Sequence, residues 1–334
     1  MKAPLNSLSE EARNRLVRQS HPDWMSPMLA TLTEERFSDP GWIFEPKLDG
    51  ERCLTFRKDS RLRLMSRNKL KLNDHYPELA EALLRQAAAD FVVDGEIVAF
   101  EGARTSFARL QRRMQVANPE RARRTGVAVY YYLFDLLHVA GYDMTKLPLR
   151  DRKALLRKMF RFTDPLRFTR HRNEKGEAYL EELCEKGWEG VIAKRADAPY
   201  THKRSRDWLK FKCVNDQEFV IGGYTEPKGK RKGLGALLIG YYEGDRLVYA
   251  GKVGTGFSDE TLDDLVRRLL PLERDEPPFA PDRLPHREVH WVAPKLVVQI
   301  GFTEWTADGQ LRHPRYRGLR RDKRPRDVTR ERPT

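Results

Sequence analysis

Lys47 lies in the stretch IFEPKLDGER (residues 43–52), between an apolar run and an Asp49-Gly50 pair, with Arg52 five residues on. A lysine attacks phosphorus only as a free amine, so it becomes a nucleophile where neighbouring cations or desolvation lower its pKa. Cations are at hand. In WLKFK (208–212), period-2 alternation puts Lys210 and Lys212 on one strand face and Leu209 and Phe211 on the other. Two lysines on one face, with no acid between them, can bind phosphate. Each signal has a plainer reading when taken alone. Lys47 is then a solvated lysine before a chain-reversing Asp-Gly turn, and WLKFK is an amphipathic strand with a wet basic face.

Acids recur where burial is expected. Asp94 and Glu96 alternate onto one face of FVVDGEIVAF, and Glu189 opens and Lys194 closes the apolar EGVIAK. Buried acids are costly unless paired or metal-bound. Glu96 and Glu189 together can hold a divalent metal against phosphate oxygens; the plainer readings are an Asp94-Gly95 hairpin and exposed strand-end acids. Tyr130, Tyr132 and Phe134 share a face of YYYLFDLLH, where an aromatic can stack on a base or simply fill a core. Arg67, in SRN, is a phosphate clamp or a turn residue. The eight histidines are dispersed and give no ligand cluster; His286 and His290, four apart, lie in a strand region. KGKRKGLGA lacks the spacing of a P-loop.

These residues need strands to carry them. Alternation predicts strands at WIFEPK, RCLTFRK, LRLMS, FVVDGEIVAF, VAVYYYLFDLLH, GVIAKR and WLKFK. Helices are predicted near 76–89, 105–115, 150–160 and 174–186. That is a mixed α/β (α+β) domain over 23–213, after a short leader, 1–22, in which Ser7 or Ser9 can cap a helix. From 214 to 324 the pattern changes to short strands with Gly turns, a hairpin through Gly244-Asp245 and one helix capped by Ser258. A small Greek-key barrel of the OB-fold type suits that content. The basic tail, 325–334, is expected to be disordered.

Lysine and arginine outnumber the acids 63 to 49 in 334 residues, a formal charge of +14, which points to a polyanion partner and first to nucleic acid. Cys53, Cys184 and Cys213 form no C-x-x-C pair, so neither a zinc ribbon nor a disulfide framework is expected, and a reduced, intracellular compartment fits. No apolar run reaches membrane-span length, and no secretory h-region follows the first residues.

The order of the signals is more specific than any one of them. Lys47-x-Asp49-Gly50-x-Arg52, Ser66-Arg67-Asn68, Asp94-Gly95-Glu96, Phe134-Asp135, Glu189-Gly190-Val191-Ile192-x-Lys194, Lys210-x-Lys212 and Arg320-x-Asp322-Lys323 follow in series. Over about residues 24–323 the chain resembles the covalent nucleotidyltransferases: ATP-dependent DNA ligases, RNA ligases and capping enzymes. PMLATLTEERFSDPGWIFEPKLDGER, GGYTEPKGKRKGLGALLIGYY and HPRYRGLRRDK are similar to the ligase domain of bacterial non-homologous end-joining ligases.

The resemblance implies an antiparallel-sheet nucleotidyltransferase domain followed by an OB-fold. It also implies ATP, with Mg2+ or Mn2+, and nick sealing through lysyl-AMP and AMP-DNA in DNA repair. Lys47 is then the nucleophile, and Asp49 orients the attacking or departing group. Glu45 reads adenine, and Phe134 stacks on it. Arg52 and Arg67 hold phosphates of AMP or of the nick. Glu96 contacts ribose or metal, and Glu189 metal. Lys194, Lys210 and Lys212 surround the α-phosphate. Arg320, Asp322 and Lys323 reach the pyrophosphate and then swing away about a hinge near 213–217. The loop Lys228, Lys230, Arg231 and Lys232 grips DNA backbone. Expected partners are nicked or broken duplex DNA, a Ku-like end-binding protein and a separate repair polymerase, for a monomer in the bacterial cytoplasm or nucleoid. An RNA-ligase or capping activity, or an idle nucleic-acid-binding scaffold, is the alternative.

Overall fold

Alternating apolar residues assemble two sheets within residues 17–212 and a third beyond them, beside a two-stranded pair of Glu304–Trp305 with Leu311–Arg312. The computed structural model describes residues 5–213, 215–227, 233–280, 284 and 289–332. The chain divides into two units, Met1–Cys213 with Arg332–Thr334, and Val214–Glu331. The loop residues Lys228, Lys230, Arg231 and Lys232 lie outside the described residues.

In the first unit, an eight-stranded sheet runs in the order Val17–Arg18, Tyr142–Asp143, Val129–Val139, Asp90–Glu101, Glu51–Lys58, Arg61–Ser66. Leu166–Phe168 and Arg104–Thr105 attach to it. One of its faces carries Cys53, Leu64, Val93, Ile97, Tyr131 and Leu133, all buried against helices Pro77–Leu84, Phe107–Met114 and Leu149–Met159. The leader joins this core: Ser9 caps helix Glu10–Asn14, and Leu8 and Ala12 are buried.

A five-stranded sheet runs Arg172–Asn173, Trp42–Pro46, Gly190–Arg195, Arg204–Lys212, Leu29–Leu32. Phe44, Val191, Ala193 and Phe211 point from one face onto helix Gly176–Glu185 through Leu180 and Leu183. Because strands alternate, Glu45, Lys194, Lys210 and Lys212 are left on the other face. That face meets the second side of the large sheet, where Leu54, Phe56, Val92 and Phe134 form a cluster with Trp208 and Tyr200.

Four expectations are corrected. Asp49-Gly50 is not a hairpin: Trp42–Pro46 and Glu51–Lys58 belong to different sheets, and residues 47–50 carry the chain between them. Gly50 suits that crossing, since a Cβ there would lie 2.2 Å from the Ile97 carbonyl oxygen. Asp94-Gly95 is also no hairpin, being mid-strand in Asp90–Glu101. Cys184 and Cys213 are disulfide-bonded. The backbone brings them together: Trp188 N–H donates to Leu183 O and Cys213 N–H to Glu189 O, folding the helix end back to the strand end. Finally, the described part of the basic tail is ordered. Val328 is buried in the second unit's core, its carbonyl accepts from Tyr242 N–H, and Arg330 lies over the Trp305 ring.

In the second unit, Asn215–Thr225 is the central strand. It pairs with Leu237–Glu243 on one edge and with Val297–Phe302 and then Val289–Val292 on the other. Leu237–Glu243 and Arg246–Val253 form the expected hairpin, with Gly244 at φ 60°. Helix Asp259–Leu269, capped by Ser258, buries Leu262, Leu265 and Leu269.

Candidate active site

Lys47 immediately follows the strand Trp42–Pro46, and its N–H donates to Gly190 O at 2.8 Å. Gly190 begins the neighbouring strand and is in register with Lys212 at the end of the next. Three adjacent strands therefore deliver Lys47, Glu189 and Lys212 to one end of the sheet. Gly190 has φ 146°, and a Cβ there would meet Phe211 O at 2.0 Å, so this close approach favours glycine. Lys47 Nζ donates to the Glu189 carboxylate, and both side chains stay partly open, at 17% and 13% exposure. The immediate partner of Lys47 is thus an acid, where the sequence suggested cations. The cations sit behind it: Lys210 is in register with Ile192, which is in register with Glu45.

One turn deeper on the same face is a buried charge cluster. The Glu45 carboxylate pairs with Lys194 at 2.6 Å and with Lys153, and all three side chains are 2% exposed. Burial pushes Glu45 up, but the two lysines outweigh it and hold the carboxyl below its ordinary range. Burial brings Lys194 down to about 8 against the opposing pull of Glu45. The Lys194 ammonium also lies 4.0 Å from the ring centroids of both Phe134 and Trp208. Glu45 is therefore locked in place by its cations, and its geometry is set before any ligand arrives.

On the large sheet, Arg52 makes a bidentate pair with Asp94, Nε–Oδ1 2.5 Å and Nη2–Oδ2 2.6 Å. Its Nη2 also donates to Met28 O at 3.2 Å, and its guanidinium lies over Phe134. Asp94, fully buried, further accepts from Tyr200 Oη at 2.6 Å. Burial opposes the Arg52 charge, but Asp94 more than compensates and raises its pKa. Asp94 is thereby the anchor of Arg52. Glu96, half-buried, is opposite Arg52 in the ladder. Phe134 is 7% exposed and stacked edge-on to Trp208 at 6.0 Å. Tyr130 is covered by Arg167, 3.8 Å from its centroid. Arg67 lies in the turn after Arg61–Ser66.

Asp49 ties down the segment that follows Lys47. Its carboxylate accepts from Phe107 N–H and its own N–H donates to Thr105 Oγ1, both at 3.1 Å. A carboxylate at this helix N-terminus is electrostatically favoured and fixes the segment that follows Lys47. Lys153, Trp208 and Tyr200 were missed. Trp208 shares the period of Lys210 and Lys212, a signal that was present. Lys153 lies in the helix LRDRKALLRKM among several other basic residues and carries no distinguishing mark.

The terminal motif belongs to the second unit. Arg320 forks onto Asp322, Nε–Oδ1 2.9 Å and Nη2–Oδ2 2.8 Å, and Lys323 pairs with Glu218 at 2.9 Å. Burial raises Asp322, but Arg320 outweighs it, and the net pKa is lowered.

The histidines correct another expectation. His21 and His138, 117 positions apart in the chain, meet at Asp90 and form, with it, the one such group with metal-ligand spacing among the described residues.

A family model described as ATP dependent DNA ligase domain matches residues 27–212, and one described as ATP dependent DNA ligase C terminal region matches 230–323. The multifunctional non-homologous end joining protein LigD of Pseudomonas aeruginosa is 39% identical over 320 residues, which cover 93% of this chain and 37% of that protein. The corresponding DNA repair protein LigD of Mycobacterium tuberculosis is 37% identical over 318 residues, covering 92% and 40%. This chain thus spans about two fifths of the length of these curated relatives. Among solved structures, a mycobacterial DNA ligase D complexed with ATP and MES matches with TM-score 0.66 at 34% identity, covering 92% of this chain and 98% of that one. The nucleotidyltransferase and OB-fold arrangement is therefore the fold of both units.

Proposed function

The chain belongs to the ATP-dependent DNA ligase family, enzymes that draw on ATP and a divalent metal, and from that premise we propose that it seals nicks in duplex DNA during end-joining repair. One observation carries the assignment to named residues: Lys47 stands in the segment that joins two sheets, held by Glu189, with Lys212 and Lys210 on the same face of its sheet.

In the first step the Lys47 amine attacks the α-phosphorus of ATP, the bond to pyrophosphate breaks, and the amine's proton is released. In the second, a 5′-phosphate oxygen of the nick attacks the same phosphorus and the lysine–phosphorus bond breaks. In the third, the 3′-hydroxyl attacks the 5′-phosphate and AMP leaves. Each step moves a phosphoryl group, so positioning and charge neutralisation dominate.

Lys210 and Lys212 are assigned to the α-phosphate oxygens. Lys194, expected at the α-phosphate, is instead buried against Phe134, Trp208 and Glu45, and is assigned with Glu45 to the floor of the adenine pocket, with Phe134 stacking on the base. Arg52, pre-oriented by Asp94, and Arg67 hold phosphate. Asp49 aims Lys47 by tying the crossing segment to the helix at Phe107. Arg320, Asp322 and Lys323 serve the pyrophosphate. The carboxylates of Glu96 and Glu189 are hard oxygen donors that suit Mg2+ or Mn2+, and Glu189 already holds one cationic group. A bound dication would neutralise charge on the transferring phosphoryl group. With Glu189 engaged by a cation, the Lys47 ammonium would lose the carboxylate that stabilises its charge, which favours release of its proton to solvent and gives the amine that attacks. The basic loop Lys228, Lys230, Arg231 and Lys232 grips the DNA backbone.

A Ku-like end-binding protein and a repair polymerase are the expected partners of a monomer, since the relatives are named as multifunctional end-joining proteins. No helix among the described residues is long and apolar enough to cross a membrane; the bacterial cytoplasm is the proposed compartment. The test is incubation with α-labelled ATP and Mg2+ or Mn2+, followed by a nicked duplex. Label attaches covalently to the wild type and not to Lys47→Ala, and the nick is sealed. Absence of labelling in the wild type refutes the assignment.

A further inference from the structure

His21, Asp90 and His138 come from three separate segments. His21 follows the strand Val17–Arg18, which is tied to the sheet edge by pairing with Tyr142–Asp143 and by Gln19 N–H to Gly141 O. Asp90 opens the strand Asp90–Glu101, and His138 lies near the end of Val129–Val139. A register shift between Val92 and Val93 accompanies the meeting of these two strands. His21 Nδ1 is 2.8 Å and His138 Nε2 3.4 Å from the same Asp90 oxygen, and all three potential ligand atoms lie within 4.8 Å of one another. Ligands bound tetrahedrally at the usual zinc distances sit roughly 3.3 Å apart, a value that the two separations to Asp90 bracket.

His138 supplies the second observation. Its side chain is fully buried; Nδ1 has no hydrogen-bond partner, and Nε2 has only the long 3.4 Å contact to Asp90. Buried polar atoms almost always have a good partner, and leaving one without any is costly. A cation coordinated by Nε2 would replace that long contact with a ligand bond. His21 is 7% exposed and Asp90 25%, so solvent reaches the group from the Asp90 side. Asp143, directly across from His138 in the ladder, has an oxygen committed to Thr145 N–H.

We propose that His21, Asp90 and His138 form a binding site for a first-row transition-metal dication of the zinc type, separate from the carboxylates at Lys47. Two imidazoles and one carboxylate favour zinc, cobalt or nickel over magnesium. The site's role is architectural. It fastens the segment after His21, which runs through Met25 and Met28 into the cleft. Met28 accepts from Arg52 Nη2, and its N–H donates to Tyr200 Oη at 2.8 Å, so the anchored segment backs the Arg52–Asp94 pair. Ligation would join the two central strands of the large sheet to the leader at one point. This proposal stands whether or not the chain seals nicks.

The experiment is a titration of the chelator-stripped full chain with Co2+ in excess Mg2+, read by visible absorption. It is followed by competition between Zn2+ and a chromophoric indicator. One equivalent of Co2+ gives a d–d band that Zn2+ displaces. His21→Ala and Asp90→Asn weaken the site by more than about a hundredfold, beyond the effect of losing an outer partner. Glu189→Gln and His290→Ala leave it unchanged, which separates it from the Lys47 carboxylates and from the surface group in which His290 pairs with Glu226 at 2.6 Å and Glu273 at 3.2 Å. Zn2+ also raises the thermal midpoint of the wild type and not of His21→Ala. A wild type without a stoichiometric site, an equivalent that survives His21→Ala, or one lost in Glu189→Gln or His290→Ala overturns the proposal.

Discussion

Replacing Glu45 with glutamine tests whether the buried cluster Glu45–Lys153–Lys194 is held by charge. All three side chains are 2% exposed, so solvent screens their interactions little. Removing one partner of a buried pair typically costs about 3–5 kcal/mol, because the remaining charge is stranded. Here the loss has an outlet. Lys194 already has its pKa brought down to about 8 from an ordinary 10.5, and without Glu45, which raises it, the pKa falls further. In Glu45→Gln the folded state therefore sheds the Lys194 proton at lower pH than the wild type does while the unfolded state keeps it, and stability begins to climb with pH earlier. In the wild type the same climb begins only near pH 8. The two curves therefore converge as pH rises, by about 1.4 kcal/mol for each unit by which the variant's Lys194 pKa drops. Equilibrium unfolding of the full chain, following the first unit's transition, should show a large deficit at pH 6 and a small one at pH 9. The double variant Glu45→Gln with Lys194→Met should recover much of the deficit at pH 6. A deficit equal at both pH values, or a double variant whose losses simply add, refutes a charge-based cluster.

Three other predictions follow from named geometry. Asp135 and Arg152 are both fully buried and joined by two bonds of 2.7 and 2.9 Å, so Asp135→Asn costs about 3–5 kcal/mol in equilibrium unfolding, and Asp135→Leu with Arg152→Met restores most of it. Gly50→Ala places a methyl 2.2 Å from the Ile97 carbonyl oxygen, so the crossing segment must shift at about 1–3 kcal/mol. Because Lys47 is in that segment, covalent AMP labelling falls further than thermal stability does. Asp322 has a pKa below its ordinary 3.8, so the stability it provides is present above that value and is lost as pH falls through the depressed one. Asp322→Asn removes that dependence, and acid titration of the second unit's unfolding should be flatter below about pH 4.

Local pattern carried much of this protein. Period-2 alternation is a property of the strand itself, so the strand assignments of WIFEPK, GVIAKR and WLKFK, and the common face of Lys210 and Lys212, were readable before any partner strand was known. The ordered motifs from Lys47 to Lys323 were readable for the same reason, and they are what ties the chain to its family. Partners were not readable, because a sequence does not state what lies across a sheet or a cleft. Asp49-Gly50 has the composition of a hairpin turn, yet sheet pairing of its two flanking strands made it a crossing between layers. Only the ladder register set Glu189 beside Lys47, and only packing of a helix against the sheet brought Lys153 to Glu45. The disulfide between Cys184 and Cys213 and the meeting of His21 with His138 follow the same rule. Spacing along the chain fixes which face a side chain takes within one element; distances between elements are set by tertiary packing, and it is there that this protein's charges acquire their partners.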